Sequence, residues 1–300
     1  MVTTAGPVAG PAESPSAPPG RTSPTALRIL LGAQLRRLRE AKRFSLEEAG
    51  NVIRASHSKI SRLETGRVGF KDRDIVDLLT FYGVTDEHER EEVRSLAVRA
   101  NSPGWWNDYA DVVPTWFEEY IGLEEAASQI RAYEVQAVPG LLQTEDYARG
   151  VTMLAFSNPK EINRRVALKM ARQYVLSRPN PPNIWVVLDE AVLRRPIGGQ
   201  GAMKAQLRHL IDISQQPHVT IQVVPFQAGG HAGWGGSFSL LRFAEYDLPD
   251  VVYLEQHSSA QYLDKQDVVD RYMAVMERLC LEAQTPAVSV RTLRSMLRGA

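Results

Sequence analysis

The chain has 300 residues, enough for two domains and a real core, and its 35 Lys and Arg balance 35 Asp and Glu. A single cysteine, Cys280, excludes a disulfide framework and a thiolate metal site, and six scattered histidines with no i,i+4 pair argue against zinc. No apolar run reaches the roughly 18 residues of a membrane span. The N-terminus lacks the charged-then-hydrophobic pattern of a signal peptide, so a soluble cytoplasmic protein with no metal, no cofactor and no membrane partner is expected.

The zero net charge hides an uneven distribution. Residues 25–70 hold ten Lys/Arg against four Asp/Glu, 71–100 hold five against eight, and the stretch from 101 onward nineteen against twenty-two. A basic segment of this kind is the electrostatic footprint of a phosphate backbone.

Residues 1–24 contain six prolines and only Glu13 and Arg21 as charges. That composition cannot bury a core and predicts a disordered tail. From Thr25 to Phe44 the pattern predicts an amphipathic helix with Leu27, Leu31, Leu35 and Leu38 on one side. Two short helices joined by a turn follow over 45–67. Leu46, Ala49, Gly50 and Ile53 share one face of the first; Arg54-Ala55 breaks the run, and Ser56 is a good N-cap for the second. In that second helix Ile60 and Leu63 point inward. Ser58, Ser61, Arg62 and Thr65 point roughly the other way, with His57 at the edge. An apolar docking side and a polar, cationic outer side suit a helix lying in the DNA major groove, where Arg reaches guanine and hydroxyls pair with either kind of base edge. Residues 71–84 predict a fourth helix ending at Gly83, and 86–101 a fifth with an acidic start. The expectation is an all-α, five-helix DNA-binding domain over 25–101.

This region resembles the helix-turn-helix of the Xre (Cro/C1) family of bacterial regulators. Ser45, Glu47-Glu48, the small Gly50, Ser56 and above all the run Ser58-Lys59-Ile60-Ser61-Arg62-Leu63-Glu64-Thr65-Gly66 carry the resemblance. One position departs: the family usually has Gly in the turn where this chain has Arg54. A left-handed backbone at a non-glycine costs about 1–2 kcal/mol, so an altered turn is expected. The resemblance also implies a structural ion pair between Arg39 and Glu64, the residue ending the recognition helix. Base contacts are expected from His57, Ser58, Ser61 and Arg62, and phosphate contacts from Arg36, Arg43, Lys59 and Arg67.

The composition changes at Ser102. Residues 102–300 predict a second domain with strands at 129–138, 183–190, 219–226, 238–244 and 251–257, rich in Val, Ile and aromatics. Helical patterns lie at 116–128, 144–155, 160–177, 203–215, 265–282 and 287–298. Their irregular alternation and late strand cluster favour α+β over a doubly wound sheet. Trp105-Trp106, Tyr120-Ile121-Gly122-Leu123-Glu124, Val138 to Thr144, Arg172-Gln173 and Tyr253-Leu254-Glu255 resemble a domain of unknown function that accompanies Xre-type helix-turn-helices in actinobacteria.

Other constellations point less sharply to chemistry. The Gly-rich stretch 228–237 lacks the Lys-Ser/Thr of a P-loop and the spacing of a dinucleotide fingerprint, so it is read as a loop. Ser237 is not in a G-x-S-x-G elbow. Asp189-Glu190 is read as a helix start, not a catalytic pair. The cluster Trp105, Trp106, Tyr109 and Trp116 has two readings, core or a ligand- or partner-binding surface. Together these features predict a non-enzymatic transcription regulator that binds double-stranded DNA as a homodimer and carries a sensing or partner-binding second domain. The resemblance adds the alternative of an antitoxin-like protein that neutralises a small protein encoded nearby, with DNA binding as autoregulation.

Overall fold

The computed structural model describes residues 24–244 and 248–299. The Pro-rich tail therefore lies outside the described residues, except Pro24, which opens the first helix.

Five helices follow over residues 24–100: α1 (Pro24–Ala41), α2 (Leu46–Val52), α3 (His57–Glu64), α4 (Asp72–Phe81) and α5 (Glu87–Ala100). Their shared core contains Leu27, Leu31, Leu35, Ile53, Ile60, Leu63, Ile75, Leu78, Leu79 and Val93. The leucine stripe of α1 is thus the side that faces this bundle. Four helices end in the same way, with an N–H five residues on closing back to the helix: Phe44 to Arg39, Ala55 to Gly50, Arg67 to Arg62 and Val84 to Leu79. The left-handed residue that this ending needs is glycine twice, Gly66 and Gly83, and arginine twice, Arg43 (φ 59°) and Arg54 (φ 55°). The altered turn expected at Arg54 does not occur. The chain keeps the geometry and accepts the strain, because the Ala55 N–H to Gly50 carbonyl bond (2.8 Å) depends on it.

The second domain is built on a six-stranded mixed sheet. Its strands are β1 (Gln129–Glu134), β2 (Asn183–Asp189), β3 (Val219–Val224), β4 (Phe238–Arg242), β5 (Val251–Glu255) and β6 (Ala260–Leu263), in the order β3-β2-β1-β4-β5-β6. β1, β2 and β3 run parallel, and β4, β5 and β6 continue the sheet antiparallel. One half is therefore crossover-connected and the other a meander, which makes the fold α+β. Alternate residues supply two cores. Ile130, Ala132, Ile184, Val186, Leu188, Ile221 and Val223 face one side. Tyr133, Val187, Val224, Leu240 and Val252 face the other, with Val269, Met276 and Leu279 of α11 (Gln266–Glu282). The first side packs against α6 (Thr115–Ala126), α7 (Glu145–Met153), α9 (Glu190–Arg194), α10 (Gln200–Ile213) and α12 (Pro286–Gly299); α8 (Pro159–Arg172) packs on α7.

The two domains share α1. Ile29 and Ala33, on the opposite side of that helix from the leucine stripe, belong to the core of the second domain with Tyr120 and Leu123 of α6. The helices approach closely there: a Cβ on Gly122 would lie 2.2 Å from Thr25 Oγ1.

Candidate nucleic-acid interface

Local bonds fix the helix-turn-helix before any ligand is considered. At the start of α2 the Ser45 hydroxyl accepts from the Glu48 N–H (3.1 Å) and the Glu48 carboxylate accepts from the Ser45 N–H (2.8 Å), a capping box. That backbone bond, with the Ser45 hydroxyl adding, holds the Glu48 carboxyl below its ordinary range. Ser56 caps α3 by accepting from the Lys59 N–H at 3.3 Å. Gly50 is needed where α2 meets the turn, since a Cβ there would stand 2.6 Å from the Ala55 carbonyl oxygen.

α3 is anchored from beneath and at its end. Ile60 and Leu63 are each 1% exposed. Glu64 accepts two bonds from Arg39, Nε at 2.7 Å and Nη2 at 2.8 Å, and Arg39 Nη1 donates to the Phe44 carbonyl at 2.7 Å. Both side chains are buried, so α1 and the end of α3 are joined through a charge pair out of water. The Glu64 bonds raise the Arg39 pKa further. A second close approach supports the crossing: a Cβ on Gly32 of α1 would lie 2.5 Å from the Leu63 carbonyl oxygen.

Opposite these anchors, His57, Ser58 and Arg62 are exposed and Ser61 is half-buried. The four residues expected to read bases therefore share the outward surface of one helix. The residues expected to hold phosphates are placed unequally. Arg43 is exposed. Arg36 pairs with Glu40 at 2.9 Å. Lys59 gives its ammonium to the buried Asp74 at 2.7 Å, which fastens α3 to α4 and leaves less of its charge for a phosphate. Arg67 is the correction. Its side chain turns away from α3 into the second domain, 12% exposed, between Glu119 (3.6 Å) and Asp264 (3.5 Å). An arginine enclosed by another domain cannot lie on a DNA backbone, so the phosphate role assigned to Arg67 is withdrawn. Sequence reasoning placed Arg67 on the DNA side because nothing in 45–67 reveals that α6 covers it.

The aromatic cluster divides. Trp106 is 6% exposed and packs with Val113, Ile121 and Leu168, so it is core. Trp105 meets Trp106 and Tyr109 edge-on at 6.0 and 6.1 Å, and Arg164 lies over the Tyr109 ring at 4.7 Å. Trp105, Tyr109 and Trp116 remain half-buried.

A polar centre in the second domain escaped the sequence reading. Arg172 makes two bonds to Glu124, at 2.9 and 2.7 Å, with both side chains buried, and its guanidinium lies 4.9 Å from the Phe117 ring centre. Nearby, burial pushes the Lys169 ammonium down to about 8, with Arg172 adding. Burial also pushes the Glu134 carboxyl up to about 7, against the hydrogen bond from Ser237. Glu124 and Arg172 stand in two of the runs that carried the resemblance, and that was the one available signal. Asp189 acts as a helix cap, accepting from the Ala191 N–H at 2.7 Å, and Glu190 accepts from the Phe226 N–H at 2.9 Å. Among the described residues no cluster of His, Cys, Asp and Glu suits a metal ion, and no helix is long and apolar enough to cross a membrane.

Comparison with known families places two matches on this geometry. A helix-turn-helix domain matches residues 30–93, and a domain of unknown function (DUF5753) matches residues 117–295. No curated protein and no solved structure matches the chain.

Proposed function

The chain belongs to the DUF5753 family, with a helix-turn-helix domain ahead of it, and on that premise we propose that it is a sequence-specific transcription regulator of the Xre (Cro/C1) type. It binds double-stranded DNA as a homodimer through α3, catalyses no reaction, and receives its signal in the second domain. The observation that carries this reading is the outward surface of α3. His57, Ser58 and Arg62 are exposed on it, Arg62 at the rim of a cleft towards α6, while Ile60, Leu63 and Glu64 hold the helix down. Arg62 has the reach and the fork for guanine O6 and N7. Support for the subtype comes from the run Ser58 to Gly66, and for the actinobacterial kind from the runs of the second domain.

Genome-wide mapping of bound sites, followed by titration of the full chain on the recovered operator and on a scrambled duplex, tests the proposal. A specificity ratio of at least about 10³ is expected; equal affinity for both duplexes would refute it.

A second reading, neutralisation of a small partner protein, draws on one feature. Trp234 is 91% exposed on the Gly-rich loop, and Phe226 on the adjoining turn is 58% exposed. An exposed Trp is an unusual surface residue and a common anchor at interfaces. Co-purification of a stoichiometric small protein, lost in Trp234→Ala, would favour this reading; a chain that purifies alone from its native cells would count against it.

A further inference from the structure

Between the two domains a cleft of about 230 Å³ runs along the start of α1, the end of α3 and the first turn of α6. Arg28, Arg62 and Arg67 line it, Trp106 gives it an apolar wall, and Glu118 and Glu119 stand on its α6 side. The Arg67 guanidinium is poorly satisfied. The Glu119 and Asp264 carboxylates stand 3.6 and 3.5 Å from Arg67 Nε and Nη1, too far for good hydrogen bonds. Arg67 Nε and Nη2 are buried with no hydrogen-bond partner. These two nitrogens form one edge of the guanidinium, the side-on fork that takes two oxygens of one oxyanion. Arg28 donates Nε to the Ala100 carbonyl at 2.9 Å, and burial lowers its pKa. On the facing side α6 follows the N-cap Pro114 without a side-chain cap, and its amide end adds positive potential that Glu118 of the first turn partly offsets.

We propose that this cleft binds a small oxyanion, a carboxylate or phosphate carried by a low-molecular-weight effector, on the Nε–Nη2 edge of Arg67. The volume is below that of ordinary drug-sized sites, so the ligand is small, and Trp106 covers its apolar part. Glu118 and Glu119 disfavour a polyanion such as the DNA backbone, and a small anion reaches the buried Nε–Nη2 edge only by displacing the Glu119 carboxylate that stands 3.6 Å from Nε. Arg62 of the reading helix lines the same cleft, so a bound anion joins the end of α3 to α6 and couples the effector to DNA recognition. This last consequence rests on the regulator reading; the anion site itself does not.

The test uses the full chain, titrated with inorganic phosphate and, separately, with acetate. Chloride holds the ionic strength constant, and binding is read by tryptophan fluorescence and calorimetry. Saturable binding of one anion per chain by at least one probe is expected, and the preferred probe identifies phosphate or carboxylate as the ligand group. Arg67→Gln should weaken it at least tenfold. Arg67→Lys, which keeps the charge but loses the fork, should also weaken it, and it decides the matter if Arg67→Gln does not fold. Arg271→Gln, at an exposed pair on α11, should bind as the unmodified chain does. Failure of both probes to saturate, or unchanged binding in a folded Arg67 variant, would overturn the site and leave the cleft to water. Operator binding measured on the same samples separates the two claims. Anion binding without operator binding sinks the regulator reading alone, and the reverse sinks the cleft alone.

Discussion

Removing the carboxylate of Glu64 tests how α3 is held. In Glu64→Gln the side chain keeps its volume but loses its charge, and Arg39 stays behind in a site where it is 8% exposed. Breaking a buried pair by removing one partner costs about 3–5 kcal/mol, because a charge is stranded out of water. The geometry here points to the lower end. Arg39 keeps its 2.7 Å bond to the Phe44 carbonyl and a 3.5 Å contact with the half-exposed Glu40, so about 3 kcal/mol is expected. For a cooperative unit of 60–100 residues this is a fall in Tm of roughly 12–24 °C, and about half that if both domains melt together. Urea titration followed by circular dichroism gives the free energy, and a thermal scan gives the midpoint. The double variant Arg39→Met/Glu64→Leu should recover most of the loss, since an apolar pair of similar volume often replaces a buried ion pair at little cost. A cost below about 1 kcal/mol for Glu64→Gln, or a double variant as unstable as the sum of the singles, would show that the pair does not anchor α3.

Arg54→Gly should stabilise the chain by up to about 1 kcal/mol: it removes 1–2 kcal/mol of left-handed strain and adds some unfolded-state entropy. A lower urea midpoint would show that Arg54 makes a contact worth more than its strain. Arg62→Ala should cost about 1–3 kcal/mol on the operator and relax one base position, whereas equal weakening on scrambled DNA would make Arg62 a phosphate contact. Asp74→Asn releases Lys59, so it should lower stability yet steepen the salt dependence of DNA binding by up to about one unit; an unchanged slope would take Lys59 off the backbone. Glu134, at about 7 when folded against 4.5 for the free group, binds its extra proton only in the folded state. Stability should therefore fall as pH rises from about 4.5 to 7, by at most about 3 kcal/mol. Glu134→Gln should flatten that part of the urea-midpoint profile, and an unaltered slope would refute the burial argument.

What the sequence disclosed follows from how local each signal is. The five helices of the first domain, the cap at Ser56 and the end at Gly83 are written in runs of a few residues, and the structure has them at those positions. The five strands with dense Val, Ile and aromatic content were readable for the same reason. β6 was not: Ala260–Leu263 is short, lies at the sheet edge with no residue fully buried, and shows no alternation. α9 is five residues long and announced only by Asp189. Contacts between domains left no local trace. Arg67 reads as one more cation after a recognition helix, and only the arrival of Glu119 and Asp264 from far along the chain changes its role. The Glu124–Arg172 pair, 48 residues apart, was hidden in the same way.

The double membership of α1 also orders events during synthesis. The helix leaves the ribosome early and can bury Leu27, Leu31 and Leu35 as soon as α2 to α5 have followed. Its other strip, with Ile29 and Ala33, has no partner until Tyr120 and Leu123 emerge. At roughly 5–20 residues per second that wait lasts about 5–20 seconds. Through this interval the nascent helix-turn-helix presents an apolar strip to chaperones and to neighbouring chains on the same message. A ribosome stalled before α6 would hold a DNA-binding unit that is folded but still adhesive.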